Sequence, residues 1–161
     1  MSTSVLKIPV LVWVRMIWDL RRRGGGRRES GAFLLGTRGE KRERVKGYVC
    51  YDDLDPAALE SGIVVLRSQG FSKLWALCKQ QRLQVLADVH THGDDHPRQS
   101  RSDRTNPMIN QAGHIAFILP RFAGTWGWRF RNVAVYEYQG ELRWRDLQTD
   151  GRRERVRFAL W

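Results

Sequence analysis

Residues 83–103 read Leu83-Gln-Val-Leu-Ala-Asp-Val-His90-Thr-His92-Gly-Asp-Asp-His-Pro-Arg-Gln-Ser100-Arg-Ser-Asp103. The opening stretch, Leu83 to Val89, is apolar enough for a buried strand and runs straight into His90-Thr91-His92. Side chains alternate faces along a strand, so residues two apart point the same way. Both imidazoles can therefore reach one point in space, which is what a metal requires. Neutral imidazole is a good zinc ligand, and a third ligand with one position left open makes a catalytic site rather than a structural one. Asp103 is the natural third ligand, because the polar, Pro-containing loop from Gly93 to Pro107 can bring it back.

Working upstream, Phe71, Leu74, Trp75 and Cys78 lie at i, i+3, i+4 and i+7 and predict an amphipathic helix ending near Arg82. Gly62 to Leu66 is β-branched and strand-like, and Asp55-Pro56 has the form of a helix cap followed by proline at the first helical position. Ser30 to Gly36 reads as a buried strand, paired as a hairpin with a second over about Arg44 to Tyr51. The apolar run Ile8 to Trp18 is too short and too charged for a membrane span. It reads as a first helix stopped by Gly24-Gly25-Gly26. Downstream, strands are expected at His114 to Leu119, Phe130 to Tyr138 and Glu141 to Asp146, the last two joined through Gln139-Gly140. The pattern predicts one α+β domain over residues 1–161, a mostly antiparallel sheet flanked by an N-terminal helix and an inserted helix.

At 161 residues, 42% of them hydrophobic and seven of them tryptophan, the chain can bury a core without staples. Cys50 and Cys78 have no CxxC partner and read as reduced core residues. A net charge of +11 implies attraction to something acidic, but the cations are spread over Arg21 to Arg28, Arg42 to Lys46 and Arg152 to Arg157 and by themselves name no partner. With no small-residue cleavage pattern after the first apolar run, a cytoplasmic location is expected.

The string His90-x-His92, seven residues, Ser100, two residues, Asp103 resembles the H-x-H-x7-S-x-x-D signature of the JAMM (JAB, MPN-plus) metalloproteases, matched without a gap. In that family a glutamate also stands upstream, before a small, apolar stretch ending in Leu-Leu-Gly, and Glu29 to Gly36 fits this form. Gly93 follows the second histidine where many members have proline. The resemblance covers roughly Glu29 to Pro120 and implies a JAB/MPN-type domain with one Zn²⁺ per chain held by His90, His92 and Asp103. It implies that Glu29 acts as general base and then general acid, and that Ser100 donates a hydrogen bond to the oxyanion. It further implies an isopeptidase or peptidase cutting after the C-terminus of a ubiquitin-like protein or its conjugate. Short prokaryotic forms accompany ubiquitin-like conjugation or anti-phage defence systems. Gly36 to Gly47 and Arg104 to Gly113 are the expected substrate-gripping segments, with Arg98, Arg101 and Arg104 facing acidic substrate groups. No specific nucleic acid and no membrane partner is expected.

Among other candidates, His96 reads as a solvated loop residue and His114 as a structural one. Asp94 and Asp95 fall outside the matched spacing, and Trp126 and Trp128 read as core or a partner groove. The alternative is a basic scaffold of the same fold, or a nucleic-acid-binding module without catalysis. The +11 charge favours it, while the presence of every ligand opposes it.

Overall fold

The computed structural model describes residues 4–124, 132–148 and 152–161; Trp126 and Trp128 lie outside them. The chain opens with β1 (Val5–Pro9) and α1 (Val10–Gly24), then the hairpin of β2 (Gly31–Arg38) and β3 (Arg42–Cys50). Next come α2 (Tyr51–Leu54), α3 (Ser68–Gln81), β4 (Gln84–Thr91), α4 (Arg101–Thr105) and β5 (Ile115–Leu119). β6 (Ala134–Gly140), β7 (Arg143–Asp146), α5 (Arg152–Arg155) and β8 (Val156–Ala159) complete it. Among the described residues eight strands join one sheet in the order β7-β6-β5-β4-β2-β3-β1-β8, curled into a half-barrel.

This corrects the expected JAB/MPN-type α+β fold with a mostly antiparallel sheet. The sheet is mixed: β4–β5, β1–β3 and β1–β8 run parallel, and the other four pairings are antiparallel. The domain opens on a strand, not a helix. β1 is only five residues long and merges into the apolar run that was read as helix alone. Alternation along a strand carries no information about the direction of its partner, so the parallel pairs left no local signal.

The two faces of the sheet are covered by different helices. α1 buries Trp13, Met16, Ile17 and Leu20 against Leu6, Ala32, Leu34, Val45, Val89 and Phe117. It ends at Gly25, whose φ of 60° is the left-handed cap that glycine adopts without strain. On the opposite face Tyr51, Leu54, Leu74 and Cys78 pack against Phe33, Leu35 and Val85. Cys50 and Cys78 are both buried and free, as expected. Trp75 departs from its assigned stripe and is 50% exposed, because helical spacing alone places it only at the stripe's margin.

Gly62 to Leu66 forms no strand. Both edges of β2 are already taken by β3 and β4, and the segment crosses outside the sheet instead, burying part of Val64 and Leu66 and exposing Ile63 and Val65. Asp55 is not a helix start but the end of α2. Its carboxylate accepts from the Ala57 and Arg67 backbone amides and pairs with the Arg67 guanidinium.

Candidate metal centre

β4 is flanked by β2 and β5 and carries His90 into the interior, with Gly31 of β2 opposite it and Ile118 of β5 on the other side. The strand ends at Thr91, but His92 continues its line because its N–H donates to Leu119 O at 2.9 Å. Both rings are buried, and their Nε2 atoms stand 3.0 Å apart. The loop that was expected to bring Asp103 back does so through a short helix that sequence patterning missed. Ser100 caps α4: its Oγ accepts from the Asp103 N–H at 3.1 Å, while Asp103 Oδ2 accepts from the Ser100 N–H at 2.7 Å. This reciprocal box, with an aspartate in the third position, was legible as Ser-x-x-Asp. At the other end of α4, the indole of Trp144 donates to Arg104 O at 3.1 Å and holds the helix against β7.

Asp103 lies 3.5 Å from His90 Nε2 and 3.3 Å from His92 Nε2, and a ligand atom from each of the three residues falls within 4.8 Å of the others. Bonds of ~2.0–2.1 Å would place tetrahedral ligands about 3.3 Å apart; the two imidazole nitrogens stand 3.0 Å apart, while the 3.3 and 3.5 Å separations run to different oxygens of Asp103. The cluster could hold a metal ion. Burial opposes charge on Asp103, yet hydrogen bonding from the two imidazoles holds its carboxyl well below the ordinary carboxylate range. Burial likewise opposes charge on His90, but the Asp103 carboxylate outweighs it and leaves that imidazole above its usual value.

Glu29 reaches the same point from the other side. Its Oε1 is 3.8 Å from His92 Nε2, and its Oε2 accepts from the Val64 N–H at 3.2 Å. Its own N–H donates to Gly62 O at 2.9 Å, so the crossing segment clamps it twice. The small residues after it have a steric cause. A Cβ on Gly31 would stand 2.3 Å from the Tyr51 ring and 2.9 Å from Val89 O. Gly93 is explained in the same way, since a Cβ there would stand 2.8 Å from Phe122 Cζ. Phe122 sits in a left-handed turn over Arg121–Ala123, with φ of 51°, 51° and 60°, strained for residues other than glycine. That turn is tied to the exit of β4, the Phe122 N–H donating to His92 O at 2.8 Å.

His114 and Asp88 were not assigned to the site, yet they stand behind it. His114 Nε2 and Asp88 Oδ1 are 2.6 Å apart in the interior, and Asp88 Oδ2 is 4.0 Å from His90 Nδ1. Asp88 shares the face of His90 because it is two residues earlier on β4, a spacing that could have flagged it. Carboxylates behind a metal-binding histidine fix ring orientation. Asp94, Asp95 and His96 stay outside the cluster, exposed, with Asp95 paired to Arg121. Arg98, Arg101 and Arg104 are exposed around α4.

A pocket of about 330 Å³ opens beside His90 and Asp103, walled by Val64, Leu66, Phe71, Met108 and Trp144. Residues Asn106 to Met108, within the Arg104 to Gly113 segment, border it. The Gly36 to Gly47 segment does not. Gly31 pairs with His90, and Arg38 is seven residues further along β2, or ~24 Å at strand rise. The hairpin tip therefore lies at the far end of the sheet, and the crossing segment at Val64 takes its place beside the site.

No family model matches the chain. The fold is similar to the solution structure of protein DSY2949 from Desulfitobacterium hafniense, with a TM-score of 0.63 and 12% identity over 96% of this chain and 93% of that one. The likeness shows the fold alone and attaches no JAB/MPN name to it. None of the helices among the described residues is long and apolar enough to cross a membrane.

Proposed function

We propose that the protein is a zinc-dependent isopeptidase or peptidase that cleaves after the C-terminus of a ubiquitin-like protein, removing conjugates or processing precursors. The observation that carries this is the convergence of His90, His92 and Asp103 with Glu29 Oε1 3.8 Å from His92 Nε2. The spacing that resembles JAMM metalloproteases supports the substrate class, with a bacterial ubiquitin-like conjugation or anti-phage defence system as its setting.

His90, His92 and Asp103 would hold a zinc ion, which would supply Lewis acidity that brings the pKa of a water toward ~7. In this reading Glu29 accepts the proton of the attacking water through Oε1, the oxygen that the Val64 N–H leaves free. It then returns that proton to the leaving amine. The Ser100 Oγ already accepts from the Asp103 N–H, which leaves its own proton to donate to the oxyanion. The pocket between Val64 and Trp144 offers apolar walls to an extended peptide entering beside the cluster.

The test is cleavage of ubiquitin-like proteins fused or conjugated to a reporter. Chelation should abolish cleavage and added zinc restore it, with about one zinc per chain by elemental analysis. Cleavage that persists in the chelated, zinc-free protein would refute the proposal.

A further inference from the structure

We propose that the β3–β1–β8 end of the sheet binds single-stranded nucleic acid without sequence preference, Lys7, Arg42, Arg44 and Lys46 contacting phosphates and Trp161 stacking on a base. This goes beyond the hydrolase and does not depend on it. The cations come from segments more than thirty residues apart in sequence and meet only through the parallel pairing of β1 with β3, which sets Val5 beside Arg42 and Lys7 beside Arg44. Arg42 and Arg44 are exposed on one face of β3, while Glu43 between them is buried on the other, paired with Arg38 at 3.4 Å. At the irregularity between Leu35 and Gly36 the register passes from Gly47 to Val45, leaving Lys46 with no partner on β2. Lys7, Arg44 and Lys46 then line one pocket of about 530 Å³ together with Trp161.

Among the described residues neither of the two long helices, α1 and α3, covers this face. α1 packs on the reverse side through Leu6, Ile8 and Val45, and the second core lies over β2 and β4. Among the described residues no carboxylate pairs with any of the four cations. Lys7 lies directly across from Arg44, an arrangement of like charges that destabilises a sheet. A polyanion removes that repulsion. An acidic polypeptide would answer the charges alone, whereas an indole 92% exposed beside them is what a nucleobase uses. A charged track with an exposed aromatic platform is the shared physics of single-strand binders. β1 is three strands from β4 in the sheet order, ~14 Å at normal strand spacing, so the metal cluster and this face can be occupied together.

The experiment is fluorescence anisotropy of a labelled oligo-dT of about twelve nucleotides over a salt series. Each phosphate contact on a single strand contributes about −0.7 to the slope of log K against log salt, so four predict about −2.8. The R42A/R44A/K46A variant should bind more than tenfold more weakly at low salt, with a slope shallower by about 2. W161A should weaken oligo-dT about fivefold while leaving heparin, a polyanion without bases, unchanged. All four positions altered are exposed, and matching thermal unfolding curves confirm that the variants fold. Removal of zinc should leave binding intact. An unchanged slope in the triple variant, an equal loss of heparin and oligo-dT in W161A, or tighter binding of polyglutamate than of oligo-dT overturns the proposal.

Discussion

Replacing Glu29 by glutamine separates chemistry from folding at the centre of the site. The carboxylate makes one hydrogen bond, from the Val64 N–H to Oε2 at 3.2 Å, and its other oxygen stands 3.8 Å from His92 Nε2, too far to bond. Glutamine keeps an acceptor for Val64 and so should hold the crossing segment in place. It cannot take a proton from water at neutral pH. General acid–base groups contribute about 10²–10⁴ in rate, or about 2.7–5.4 kcal/mol at 1.36 kcal/mol per decade. The Glu29→Gln protein should thus keep its zinc and its unfolding temperature while losing at least a hundredfold in cleavage. Alanine differs by leaving the Val64 N–H without its acceptor, a loss of ~1 kcal/mol for a part-buried bond. At this chain length that lowers the unfolding temperature by about 2–4 °C. Cleavage rate, zinc content and unfolding are measured on the same preparations. A Glu29→Gln protein that cleaves within about threefold of the parent would show that Glu29 is not the proton acceptor.

Asp103→Ala should empty the metal site and also remove the acceptor of the Ser100 N–H, costing ~1 kcal/mol of cap stability; full zinc occupancy by elemental analysis would contradict the ligand assignment. In the metal-free protein His90 is raised and Asp103 lowered. The His90 contribution is thus complete below the usual imidazole value of 6.5 and fades as pH climbs through the raised one. The Asp103 contribution is present above the usual 3.8 and fades as pH falls through the depressed one. Zinc bound at the cluster would have to displace the His90 proton, so its affinity by calorimetry should rise about tenfold per pH unit until His90 has titrated; a flat profile between pH 6 and 8 would contradict the coupling. Asp88→Asn should weaken zinc by about 10- to 100-fold in chelator competition; parental affinity would remove Asp88 from the site's support.

The elements nearest the metal cluster were the most legible. Leu83 to Val89 declared a strand because it is apolar and continuous, and the His-x-His spacing placed two rings on one face by the geometry of any strand. The β2–β3 hairpin was equally plain as two strand-like runs in succession. α4 was not, because five residues are too few for helical periodicity, and its only mark was the Ser100–Asp103 box. Gly62 to Leu66 misled for the opposite reason. Its β-branched residues favour a strand, but β2 had no free edge to offer, and tertiary pairing overrode local preference.

From its residues alone, this chain specified a packed interior, the β4 strand, and a His90, His92 and Asp103 donor set, while Glu29 upstream came with the resemblance to the JAMM pattern. The first three follow from local rules: apolar runs, alternation and the side-chain chemistry of ligands. Only the tertiary structure decided that β1 slips between β3 and β8, that the sheet is mixed, and that Lys7 faces Arg44. The same holds for the Val64 amide that clamps Glu29, the Phe122 ring over Gly93 and the Asp88–His114 pair behind His90. Each depends on which distant segments share an edge or a cavity, and no window of sequence contains that information.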